Sequence, residues 1–220
     1  MREPYSAKLL DKLGVKNYQI VVDIAILVRA DRSNHSFIYS EAIGVAPAML
    51  KYTLTKEEVE RYVVAHAHCL DELATHHEEI VFLSSSDDIV MCQMIMAKMK
   101  DPNRAKIIVT NDVDEYESSI RGLKLLLATR MHPSIIAFKN FIPIIPIIYD
   151  HRQIGFLSQI GLKELSIPIN KISYDNLRLK INEVIENYAK IEEALKSIVP
   201  KLQERYKAKL LHFILNLTRK

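Results

Sequence analysis

Short continuous apolar runs alternate with stretches of helical periodicity along most of this chain. Ser6 is placed to cap a short helix, SAKLLDKL, which Gly14 can close. The β-branched run YQIVVDIAILV over residues 18–28 predicts a buried strand interrupted by Asp23. A polar loop over residues 29–39 and a short strand over 41–45, near Pro47, come next. Thr55-Lys56-Glu57-Glu58 has the form of a capping box, and the helix it opens is expected to reach about His77. Further strands are expected at 80–83, 106–109, 125–128 and 144–148. Helices are expected at 89–99, 113–123, 133–139 and 152–160, followed by a brief extended LSIPI.

The strands are apolar throughout rather than alternating, as expected when helices cover both faces of a parallel sheet. Repeated strand–helix alternation predicts an α/β fold, a doubly wound parallel sheet of Rossmann type. Residues 1–172 are expected to form that domain and residues 173–220 a C-terminal helical tract packed on it. Ile181, Val184, Ile185, Tyr188, Ile191, Leu195, Ile198 and Val199 make one apolar stripe in that tract. Pro200 is expected to break or restart the helix.

Composition narrows the class further. At 220 residues the chain can bury a full core. Thirty Lys and Arg against 27 Asp and Glu do not mark a nucleic-acid binder. Two cysteines outside any CxxC fit a reducing cytosol, so a cytoplasmic location is expected. No apolar run approaches the ~18 residues of a transmembrane helix. The charge is uneven, however: residues 201–220 hold six Lys or Arg and one Glu.

Chemistry concentrates where two of the expected strands end. Arg130-Met131-His132-Pro133 follows one of them, with Pro133 suited to a first helical turn. A helix N-terminus presents free N–H groups and partial positive charge to an anion, and Arg130 adds a bidentate fork. Histidine is a common proton donor in catalysis, and His132 is a candidate general acid. Tyr149-Asp150-His151-Arg152 ends the next strand, and the two clusters can face one pocket if those strands are neighbours. Each cluster taken alone is equally what a solvated loop looks like.

Other motifs read as structural. His66-x-His68-x-x-Asp71 resembles a metal motif, but i and i+2 diverge on a helix, so a partly buried His68 without metal is expected. Asp87 or a neighbouring serine is expected to cap the helix after Ser84-Ser85-Ser86-Asp87-Asp88. Met91, Met94, Met96 and Met99 read as core filling. No GxGxxG or GxxxxGK[ST] is present among only five glycines, which excludes nucleotide cradles of those types. No cofactor is expected.

The order of these motifs resembles the polysaccharide pyruvyl transferase family. The resemblance rests on Thr129-Arg130-x-His132 with Ile135 and Ala137. It continues through Pro143-x-x-Pro146-Ile147-Ile148-Tyr149-Asp150-x-Arg152 with Gly155-Phe156, and closes at Ile160-Gly161-Leu162. Arg2-Glu3-Pro4-x-Ser6, the stretch from Val22 to Leu27, Ile43-Gly44-Val45 and Asp87-Asp88 agree in order. The resemblance implies the C-terminal half of a GT-B-like enzyme of two Rossmann-like domains, with its site in the cleft between them.

It further implies transfer of a pyruvyl group from phosphoenolpyruvate to a sugar diol, giving a cyclic ketal and phosphate. By position, Arg2, Arg130, Met131, His132 and Arg152 bind the donor, and His132 is the catalytic acid. Arg152 stands where the family has Lys, and a planar guanidinium is not a point-charge ammonium. The implied partners are phosphoenolpyruvate, a glycan or lipid-linked sugar acceptor, and a missing N-terminal domain or partner chain.

Two other readings stay open on the residues themselves. One is a GT-B glycosyltransferase half that binds a nucleotide sugar. The other is a non-catalytic interaction module whose tail, KAKLLHFILNLTRK, docks a partner domain or lies peripherally on an anionic membrane surface.

Overall fold

The structure is a computed structural model, which describes residues 4–28, 41–50, 54–74 and 79–217. Among the described residues, six parallel strands form one sheet: β1 (Ala42–Ala46), β2 (Ile80–Ser84), β3 (Ala105–Val109), β4 (Leu123–Ala128), β5 (Ile144–Ile148) and β6 (Ile167–Pro168). Their order is β3-β2-β1-β4-β5-β6. The order reverses between β1 and β4, which is where ligands bind in open α/β sheets. The doubly wound fold expected from the apolar runs is therefore present.

Eight α-helices among the described residues complete it: α1 (Pro4–Lys12), α2 (Lys56–Ala74), α3 (Ile89–Met96), α4 (Val113–Arg121), α5 (Met131–Lys139), α6 (His151–Ile160), α7 (Tyr174–Glu186) and α8 (Tyr188–Leu217). Side chains alternate across each strand, so the sheet separates two cores. Ile43, Val45, Phe82, Leu125 and Ile147 face a core closed by α2, α3 and α7. Ala42, Ala46, Val81, Leu126 and Ile144 face one closed by α5, α6 and α8. The capping box at the start of α2 forms as expected. The Thr55 N–H donates to Glu58 Oε2 at 2.8 Å, and the Glu58 N–H to Thr55 Oγ1 at 3.2 Å. Gly44 lets β1 and β4 pair closely: a Cβ there would stand 2.4 Å from Leu123 Cδ1 and 2.9 Å from Leu126 Cδ1.

Three expectations are corrected. Residues 18–28 do not form a strand: only a 3-10 turn, Ile24–Ile26, is regular there. Asp23 diverts the backbone by accepting the Ala25 N–H at 3.1 Å. Val22 and Ile26 are then buried on the α5–α8 side while Ile24 stays exposed. The C-terminal stripe is also divided. Asn187 ends α7, whose Leu177, Ile181 and Val184 pack on the first core; Leu195, Val199 and Tyr206 of α8 pack on the second. Ile191 touches both cores. Pro200, finally, lies inside α8 and does not end it. Burial of Leu195 and Val199 before it and Tyr206 after it outweighs the ~3 kcal/mol an interior proline costs.

Among the described residues, no helix is long and apolar enough to cross a membrane. The last turns of α8 nonetheless expose Leu211, Phe213, Ile214 and Leu215.

Candidate active site

A cleft of about 440 Å³ opens at the carboxyl ends of β2, β3 and β4. Ser84 and Asp88 line it after β2, Thr110 and Asn111 after β3, Arg130 and His132 after β4. α5 starts at this cleft, with Arg130 as its N-cap residue and Pro133 in its first turn. Arg130 makes no side-chain capping bond to α5, whereas Asp112 caps α4 and Asp150 caps α6. The partial positive end of α5 therefore meets the cleft without a carboxylate at its N-cap position.

Arg130 is pinned by a partner 42 residues away. Its Nε donates to Asp88 Oδ2 at 2.8 Å and its Nη2 to Asp88 Oδ1 at 2.6 Å. Asp88 is buried, and it also accepts the Met49 N–H at 2.8 Å and the Ser85 hydroxyl at 2.7 Å. Burial alone would push the Asp88 carboxyl upward; bonds from Arg130, Met49 and Ser85 outweigh it and hold the group below the usual carboxylate value. Asp88, and Tyr149 more weakly, raise the Arg130 guanidinium further. The cap expected from Asp87 or a neighbouring serine does not form: the N-cap positions here are Ser85 and Asp88, and neither makes a side-chain capping bond. Asp88 orients a cation instead, and Asp87 stays exposed at the cleft.

His132 is 63% exposed at the cleft, its Nε2 3.9 Å from Oδ2 of the buried Asp23. Met131 is half-buried and packs on the second core. β4 and β5 are neighbours, so the two clusters lie side by side. Arg152 nevertheless turns to its own loop. Its Nε and Nη2 both donate to Asp150 Oδ2, at 2.9 and 2.6 Å. It is half exposed and does not line the cleft. That bond to Asp150 raises the Arg152 guanidinium. Tyr149 raises both guanidinium groups weakly. Arg2 lies outside the described residues.

Residues that sequence patterns did not single out hold these loops in place. The Thr129 N–H donates to the Ala46 carbonyl at 2.9 Å, and the Thr129 hydroxyl meets that of Tyr62 at 2.6 Å. Burial pushes the Tyr62 hydroxyl well above the usual tyrosine value. Gln153 is buried between the β4 and β5 ends. Its place as third residue of α6, after an Asp, was the available signal.

Of His66 and His68 in α2, the buried one is His66, not His68. Desolvation pushes the His66 imidazole down to about 4, while its Nδ1 pairs with the Tyr62 carbonyl at 2.8 Å. His68 is exposed beside Tyr174. Among the described residues, no three His, Cys, Asp or Glu side chains are grouped to hold a metal ion.

A parallel sheet in the order 3-2-1-4-5-6, with a cleft at the carboxyl ends of its strands, defines a Rossmann-like domain of GT-B-like fold. The *S. aureus* MnaA–UDP structure shares this fold, with a TM-score of 0.66 at 13% identity over 99% of this chain and 60% of that one. A putative UDP-N-acetylglucosamine 2-epimerase from *Listeria monocytogenes* does too, at 0.62 and 12%, over 86% of this chain and 50% of that one. The polysaccharide pyruvyl transferase family model matches residues 1–151, and the chain belongs to that family. It is similar to the amylovoran biosynthesis protein AmsJ of *Erwinia amylovora*, 25% identical over 93% of this chain and 54% of the relative. The chain thus spans about half the length of that relative.

Proposed function

We propose that this chain forms the donor-binding wall of a pyruvyl transferase that takes phosphoenolpyruvate and acts on a glycan or lipid-linked sugar. The observation that carries the reading is the start of α5: a helix N-terminus whose N-cap residue makes no capping bond, opening on a 440 Å³ cleft beside Arg130. Phosphoenolpyruvate has a phosphate and a carboxylate, and the α5 N–H groups with Arg130 supply convergent donors for one of them. Arg152, paired with Asp150 at the next strand end, is assigned a lesser part.

In the proposed reaction the enol methylene takes a proton, which makes the adjacent carbon electrophilic. One acceptor hydroxyl bonds to that carbon and the second displaces phosphate, closing the ketal. One hydroxyl proton replaces the one spent on the methylene; the other leaves with phosphate. His132, at the cleft mouth and facing Asp23, is the proposed acid. Arg130 and the helix end stabilise charge on the departing phosphate. The acceptor-binding wall is proposed to come from a partner domain or chain, consistent with the half-length match to AmsJ.

Titration calorimetry with phosphoenolpyruvate tests this reading. Wild type is expected to bind, and Arg130→Ala and His132→Ala to bind more weakly. Binding of a uridine nucleotide in place of phosphoenolpyruvate would overturn the reading.

A further inference from the structure

Gln153 does more than a capping-box residue needs. Its Oε1 accepts the Tyr149 N–H at 2.9 Å and the Asp150 N–H at 3.3 Å. Its Nε2 donates to the Thr129 carbonyl at 2.7 Å and the Ile147 carbonyl at 3.3 Å. A capping box requires only an acceptor at this position. Here both acceptor and both donor positions of the amide are filled, and the side chain is 3% exposed. Each donated bond goes to a different strand end: Thr129 follows β4, and Ile147 lies at the end of β5. Thr129 immediately precedes Arg130. The β4 end is thereby held from three sides, by Ala46 of β1, Tyr62 of α2 and Gln153 of α6.

We propose that Gln153 is a positioning residue for the anion site: its amide sets the separation of the β4 and β5 ends, and through Thr129 the place of Arg130 at the N-terminus of α5. The ligand assignment rests on the function proposed above; the tie between Gln153 and Arg130 does not. Among the standard side chains, glutamine alone can both donate to two carbonyls and accept from two N–H groups at this reach. Asparagine is one methylene short. An ionised glutamate accepts but cannot donate, so Gln153→Glu keeps the acceptors of the capping box and removes the tie to Thr129.

Two readouts test this. In the ligand-free protein, the NMR signal of the Arg130 Nε–H is expected to move in Gln153→Glu; an unmoved signal would overturn the proposal. Phosphoenolpyruvate affinity is expected to fall about tenfold in Gln153→Glu, as for a buried carbonyl that loses its donor. On an Arg130→Ala background the same change is expected to add no further loss. Additive losses would mean that Gln153 acts on binding independently of Arg130 and would overturn the proposal, as would no loss at all. Wild type that fails to bind phosphoenolpyruvate removes the proposed ligand and leaves the Arg130 signal to decide the positioning role. If Gln153→Glu does not fold, the near-isosteric Gln153→Met, read the same way, takes its place.

Discussion

Neighbouring strands β4 and β5 each end in an arginine joined to an aspartate by two hydrogen bonds, yet the two pairs differ in reach. Arg130 grips both oxygens of Asp88, a buried carboxylate from another loop. Arg152 places both bonds on one oxygen of Asp150, because the other oxygen caps α6 through the Arg152 and Gln153 N–H groups. The β5 loop therefore satisfies itself locally and surrounds its helix end with its own carboxylate. The β4 loop draws its carboxylate from elsewhere, and its N-cap residue Arg130 makes no capping bond to α5. The proposed anion site lies at that end, and the α6 end is filled by its own carboxylate.

The sharpest test of that difference removes the buried partner. Asp88→Ala is expected to destabilise the protein by about 3–5 kcal/mol in denaturant unfolding, since it also orphans the Met49 N–H and the Ser85 hydroxyl. Next comes Arg130→Ala, expected to weaken phosphoenolpyruvate binding by ~10–100-fold in calorimetry, the range for a charge-assisted bond.

Acid separates the two loops as well. Both aspartates have lowered values in the fold, so each contributes stability above the ordinary carboxylate value and loses it as pH falls through its own folded value. Unfolding followed below about pH 4 is expected to show a flatter acid limb for Asp88→Asn than for Asp150→Asn. The reverse order would sink the claim that the β4 loop depends more on its carboxylate.

Asp150→Ala is expected to cost about 1 kcal/mol, the value of an N-cap. The smallest effect is assigned to Arg152→Ala, below about 1 kcal/mol in stability, because its pair is half exposed. A loss of phosphoenolpyruvate affinity as large as that of Arg130→Ala would erase the distinction between the loops.

Much of this was legible in the chain itself. Apolar runs of four to six residues, set between helical periods, are local signals of a sheet covered on both faces, and five of six strands followed from them. The Thr55 capping box and the helix start beside Pro133 are equally local. The misreadings share one cause. Residues 18–28 are as apolar as a strand, but the bond from the Ala25 N–H to Asp23 and packing against α5 and α8 decide their conformation. Pro200 carries a strong local stop signal, which burial on either side of it overrides.

By itself the sequence determined the elements, the fold class and the positions of Arg130 and His132 at a strand end, because each depends on side chains close together in the chain. Tertiary structure decided that Arg130 pairs with Asp88 and Arg152 with its own loop. It also decided that Gln153 bridges two strands and that α5, unlike α6, has no capping bond from its N-cap residue. The Arg130–Asp88 and Gln153–Thr129 bonds span 42 and 24 residues, so they form only once the sheet is assembled.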